Sequence, residues 1–198
     1  MAVIGRPREF DRDEALKAAM LVFWRKGFLA TSMNDLCDAM GIRSPSLYAA
    51  FRSKEALYLE AVEHYAKTIG PSIWDRLTDG PVAHACVENF LAAAVESLPE
   101  CDLTPAGCMV ALAAVGDECP GAVMDAMREV RRHCLEMLRS RLSDAVSAGE
   151  LPSSTDVDRL SRFYLGVYQG MAAQARDGAT SAELKGVAET AMAAWPGA

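Results

Sequence analysis

No apolar run in this sequence is long enough to cross a bilayer. A membrane helix needs roughly twenty apolar residues, and the longest uninterrupted stretch, Cys108 to Val115, has eight. The opening MAVIGRPREF lacks the apolar segment of a secretory signal, so a cytoplasmic protein is expected. Six cysteines (Cys37, Cys86, Cys101, Cys108, Cys119 and Cys134) include no C-x-x-C pair. Neither a zinc site nor a dithiol redox motif is indicated, and each thiol is expected to be a small buried apolar group. Also missing are a Gly-rich phosphate loop, a nucleophile elbow and a His-Glu metal helix. Three scattered histidines leave little acid–base equipment. No enzyme, metal or cofactor is expected.

Aromatic residues are only 7% of the chain and β-branched residues are sparse, while hydrophobic residues reach 51%, mostly Ala, Leu, Val and Met. That composition disfavours sheet and predicts an all-α protein. Its charge is unevenly placed. Residues 1–54 hold nine Lys/Arg and six Asp/Glu, a net of +3; residues 55–198 hold eleven and twenty-one, a net of −10. A basic end on an acidic body points to a polyanionic partner for the N-terminal part alone.

Nine helices are expected. Asp11 with Glu14 opens the first, which Lys26–Gly27 closes. Ser32 with Asp35 opens the second and Gly41 stops it. Ser44–Pro45 starts a third at the cap and first helical positions. Ser53 caps a fourth running to about Trp74. Further helices are predicted over 81–98, 105–116, 120–148, 155–176 and 180–195, set off by Pro81, Pro99, Pro105, Pro120, Gly149 and Gly178.

The third helix, near 44–51, is too short to be stable alone. Leu47 and Phe51 share one face and would pack on Leu36, Met40 and Ile42. Pro45, Ser46 and Ala49 point away, with Tyr48 at the flank. A low, polar outer face suits a helix lying in a DNA major groove, and helix 32–40, Gly41 and helix 44–51 read as a helix-turn-helix. Lys54, at the start of the next helix, is placed to hold phosphate.

The segments GRPREFDRDEAL, FWRKGFLATSMNDLCDAMGI and SPSLYAAFRSKEALYLEAVEHY resemble the DNA-binding domain of TetR-family transcriptional regulators. The likeness covers about residues 5–65. It implies a helix-turn-helix domain over 1–54, a linker helix over about 54–77, and a six-helix ligand-binding and dimerisation domain over 55–198. By position, Tyr48 and Lys54 would meet phosphates, and Arg43, Ser44, Ser46 and Ala49 would meet bases. Thr31 and Ser32 are further DNA-contact candidates, as are Arg6 and Arg8 in the basic N-terminal arm. Asn34 stands where the family commonly carries a basic residue. PAGCMVALAA and ARDGATSAELKGVAETAMAAW are similar to segments of regulators related to the acrylate-responsive type. The resemblance implies a homodimer on a palindromic double-stranded DNA operator, acting as a repressor and released by a small-molecule inducer.

Trp74, Phe90, Met109, Met124, Met127, Phe163, Tyr164 and Tyr168 are individually core residues in a bland reading. Together they could line a cavity for a small apolar or amphipathic ligand, with His133 or Arg132 as polar anchor. Leu160, Phe163, Tyr164, Val167, Met171 and Ala175, with Gly166 and Gly170, form a stripe for pairing the last two helices of two subunits. An alternative gives Cys101, Cys108 or Cys119 a thiol-based redox or electrophile-sensing role on the same scaffold.

Overall fold

In this computed structural model residues 10–113 and 119–196 are described, and among them the regular structure is entirely helical. α1 (Arg12–Ala30) begins at Asp11, whose carboxylate accepts from the Asp13 and Glu14 amides at 3.0 and 3.2 Å. Gly27, where the sequence predicts the end, takes φ 75° and ψ 172° and kinks the helix before one last turn. α2 (Met33–Met40) carries a reciprocal Ser32–Asp35 capping box, and Gly41 ends it at φ 65°. α3 is Ser44–Phe51.

α4 (Lys54–Thr68) is shorter than expected. Pro71 has no amide hydrogen and its ring opposes the carbonyl four residues back, so the helix to Trp74 breaks. A single turn, α5 (Pro71–Trp74), and a 3-10 turn (Asp75–Leu77) follow. α6 (Ala83–Ser97), α7 (Gly121–Ser147), α8 (Val157–Arg176) and α9 (Ser181–Met192) then build the larger half.

The expected helix at 105–116 does not form over the described residues 105–113, which run as turns and bends. Gly107 sits at φ +77°, and a Cβ there would lie 2.8 Å from the Ala172 carbonyl oxygen on α8. Its amide instead donates to the Leu98 carbonyl at 2.7 Å. Packing against α8 has overridden local helix preference.

α1, α2 and α3 close around Leu36, Leu47, Phe51 and a cluster in which Phe23 and Phe28 both meet the Tyr58 ring of α4 edge-on, centroids 5.0 and 5.2 Å apart. α4 continues into the second half, where Trp74, Phe90 and Tyr168 pack together. One residue ties three of these parts together. Arg176, at the end of α8, donates to the carbonyls of Ala106 (2.9 Å), Trp24 (2.9 Å) and Arg25 (3.1 Å). Among the described residues no helix is long and apolar enough to cross a membrane.

Candidate nucleic-acid interface and ligand cavity

α3 is held from below. Leu47 and Phe51 are buried against Leu36 and Met40, and no side chain caps its first amides. Gly41 and Ile42 turn the chain by donating to the Asp38 and Cys37 carbonyls. The outer face presents Arg43, Ser44, Ser46, Tyr48 and Ala49, all exposed. Tyr48, half exposed, stands proud of the otherwise small surface. The Ser44 hydroxyl lies 3.5 Å from the Cys37 sulfur, so it is not wholly free.

Two flanking residues have hydroxyls engaged within the protein. Thr31 is buried, with its hydroxyl donating to the Gly27 carbonyl at 2.7 Å, and it fastens the kink. Ser32 is exposed, but its hydroxyl caps α2 by accepting from the Asp35 amide. Lys26 pairs with Asp35 at 2.7 Å, and that ammonium together with the Ser32 bonds holds the Asp35 carboxyl down at about 2. Lys54 rests its ammonium 4.5 Å from the Phe28 ring centroid, at the start of α4 beside the Ser53 cap. Arg8 and Arg6 lie outside the described residues. Arg52, absent from the contacts expected from sequence, is exposed at φ 69° and adds a cation to the turn between α3 and α4. Its signal is the pair of cations, Arg52 and Lys54, on either side of the Ser53 cap.

In the larger half, a cavity of about 240 Å³ opens between α4, α5, the 108–111 segment, α7 and α8. Of the predicted lining residues it includes Trp74, His133 and Tyr168. Phe90 backs the wall, its ring packed at a tilt against Trp74 and Tyr168. Met109 and Met124 are buried in the core but do not line the cavity, and Met127 instead receives the Tyr58 hydroxyl at 3.8 Å. Tyr164 turns toward α9, its hydroxyl donating to the Ala191 carbonyl. Phe163 lies on the outer side of α8, 41% exposed. Tyr164 and Tyr168, four residues apart, share a face of α8 but lie one turn apart along its axis, and only Tyr168 reaches α4 and α5. Arg132 is exposed and paired with Glu129, whereas its neighbour Arg131 faces the cavity.

The cavity carries a polar cluster. The Tyr65 hydroxyl donates to the Cys108 sulfur at 3.3 Å, and the Ala111 amide reaches the same atom at 3.4 Å. Burial pushes both Tyr65 and Tyr168 well above their ordinary pKa, so both stay neutral phenols. Burial also pushes the Cys134 thiol up to about 12. Cys101 is exposed, and a hydrogen bond with Thr104 lowers its pKa. Iodoacetamide at mildly alkaline pH should therefore label Cys101 well before Cys134. Peptide mass spectrometry showing Cys134 labelled as fast would contradict the burial assigned to it.

α8 and α9 leave one face open. Tyr164, Met171 and Ala175 from the predicted pairing stripe turn inward within the subunit. Phe163, Gly166, Val167 and Gly170 remain at least partly exposed, and a Cβ at Gly166, Gly170 or Gly186 would meet nothing within 4 Å.

Comparison with known proteins agrees with this architecture. The model for bacterial regulatory proteins of the tetR family matches residues 15–61, and that for a tetracyclin repressor-like C-terminal domain matches residues 84–191. The HTH-type transcriptional repressor ComR of Escherichia coli (strain K12) is 33% identical over 196 residues, 97% of this chain and 92% of that protein. The repressor BdcR of the same organism is 38% identical over 108 residues, 54% of each protein. A cysteine-substituted form of the TetR family regulator CifR, solved with 26 bp double-strand operator DNA, has a TM-score of 0.91 at 41% identity and covers 97% of this chain and 100% of that one. With both halves matched and nearly the full length shared with ComR, the chain belongs to the TetR family of bacterial regulatory proteins.

Proposed function

We propose that the protein is a homodimeric repressor that sits on a palindromic operator and leaves it when a small molecule fills the cavity of the larger half. The observation that carries this reading is the α2–Gly41–α3 unit, whose buried Leu47 and Phe51 leave a low polar face for the major groove. Residues 1–54 act as the DNA-binding part and residues 55–198 as the sensing and dimerising part. Arg43 reads a base, with Ser44, Ser46 and Ala49 allowing close approach. Tyr48, Ser32, Lys54 and Arg52 lie along the phosphates, and the basic arm carrying Arg8 tracks the minor groove. Such a protein works in the cytoplasm and turns over no substrate.

The ligand acts through α4, which contributes Tyr65 to the cavity and Lys54 to the DNA-facing end. Release follows only if the ligand prefers the arrangement in which the two α3 helices no longer match the operator. Operator affinity measured at several salt concentrations tests the DNA half. Lys54→Ala should weaken all sequences alike and lower the salt slope by about one. Arg43→Ala should cost about 1–3 kcal/mol and relax preference at one position per half-site. If Lys54→Ala altered base preference and Arg43→Ala did not, this placement of α3 would be wrong.

Dimerisation is assigned to the open face of α8 and α9, where glycines permit close helix approach. Gly166→Arg should convert the dimer to a folded monomer in sedimentation and abolish tight operator binding. A variant still dimeric at micromolar concentration moves the interface elsewhere.

A second reading, a thiol sensor on the same scaffold, is favoured by Cys108, whose sulfur lines the cavity and receives two hydrogen bonds. In that case alkylation alone releases DNA and Cys108→Ser removes the response, while Cys101→Ser leaves it intact.

A further inference from the structure

Arg131 is the arginine of α7 that has no carboxylate partner among the described residues. Arg128, Arg132 and Arg139 each pair with an acid three residues earlier, Asp125, Glu129 and Glu136, and Arg141 pairs with Glu150. At the helical neighbours of Arg131, positions 127, 128, 134 and 135, stand Met, Arg, Cys and Leu. Its Nη1 is buried without a hydrogen-bond partner among the described residues, and the side chain lines the cavity. A buried guanidinium nitrogen with nothing to bind is costly, and an arriving anion relieves that cost.

The rest of the cavity narrows the choice of anion. Trp74, Val110, Val130, Met137 and Leu165 supply apolar wall. Tyr65 and Tyr168 supply hydroxyls that burial keeps protonated. The other titratable groups facing it are His133, Asp75 and the thiols of Cys108 and Cys134. The Arg131 charge is also felt at Tyr58 on α4, where it opposes the burial and the Cys119 sulfur that raise that phenol to about 12. One guanidinium fork matches one planar carboxylate. A phosphate dianion would bring a second charge against Asp75, with His133 the one further basic side chain among the lining residues. We propose that the cavity takes a small monocarboxylate with an apolar body, its carboxylate on Arg131 and its body against Trp74 and Met137. This deepens, and rests on, the reading of the protein as a ligand-released regulator.

Thermal-shift and operator-release assays on the full-length dimer test it, using straight-chain acids from propionate to decanoate and benzoate, each beside its primary amide. At least one acid should raise the melting temperature and release the operator, with affinity at least about tenfold above that of its amide. Arg131→Met should abolish that preference, and Arg131→Lys, which keeps the charge, should retain part of it. Amides binding as well as their acids, or no acid acting at millimolar concentration, overturns the inference. Operator binding by the ligand-free wild type is scored separately: its absence defeats the regulator reading, and its presence without any carboxylate response defeats only this proposal.

Discussion

Leu47→Ala should abolish specific DNA binding while leaving the larger half folded. α3 spans only eight residues and has no side-chain N-cap bond, so its stability comes from the two buried side chains on its inner face. Leu47 is fully buried. Its truncation removes contacts to α2 and opens a cavity in a small core, a change that typically costs about 2–5 kcal/mol. That is a large part of what so small a unit has to spare. Calorimetry should show the N-terminal part melting early or already unfolded, with the main transition kept, and operator affinity falling to the non-specific level. A variant that bound its operator normally would mean that α3 is held by something other than this packing.

Arg176→Ala should loosen three segments at once. The guanidinium ties the end of α1, the 105–113 segment and the end of α8 through the carbonyls of Trp24, Arg25 and Ala106. Two of these bonds are partly buried, and a buried acceptor left without its donor costs about 1–3 kcal/mol. The melting temperature should drop by roughly 10 °C. Hydrogen exchange should speed up together in residues 24–31 and 105–113, though these lie far apart in sequence. Arg176→Lys should recover little, because a single ammonium cannot span the three carbonyls with the planar fork. Since the 105–113 segment walls the cavity and α1 supports the helix-turn-helix, the variant should also respond less to any inducer. Unchanged exchange in either segment would show that Arg176 does not couple them.

The parts of this fold that were readable in advance are those fixed by neighbours in sequence. Asp11, Ser32, Ser53 and Thr180 cap the helices they precede, and Gly41 and Gly27 take the left-handed φ their positions call for. The inward face of α3 was readable because Leu47 and Phe51 are four apart on a helix that has to rest on something. Pro71 is the local signal for the break, since α4 ends at Thr68, just ahead of it. The 105–113 segment could not be read locally, since Gly107 takes a positive φ and packs closely against the Ala172 carbonyl of α8, a neighbour far away in sequence.

The cavity was less legible for the same reason. Its wall is assembled from α4, α5, α7, α8 and a loop, so membership depends on helix phase across more than a hundred residues of sequence. Arg131 and Arg132 differ by one position, or about 100° around α7. One reaches the cavity while the other pairs with Glu129 at the surface. Tyr168 and Tyr164 share a face of α8 but lie one turn apart along it, one at the cavity and the other at α9. Thr31 carried the family position of a DNA contact, but the kink at Gly27 gives its hydroxyl a nearer acceptor.

The central claim is that two copies of α3, fixed by a two-fold dimer, read DNA together. Selection of binding sites from random duplexes with the purified protein, followed by stoichiometry on the enriched site, tests it most directly. The expected result is an inverted repeat with half-sites about one helical turn apart or slightly more, occupied by two protein chains per symmetric site. Enrichment of a single asymmetric site bound by one chain, or no enrichment at all, would contradict the account.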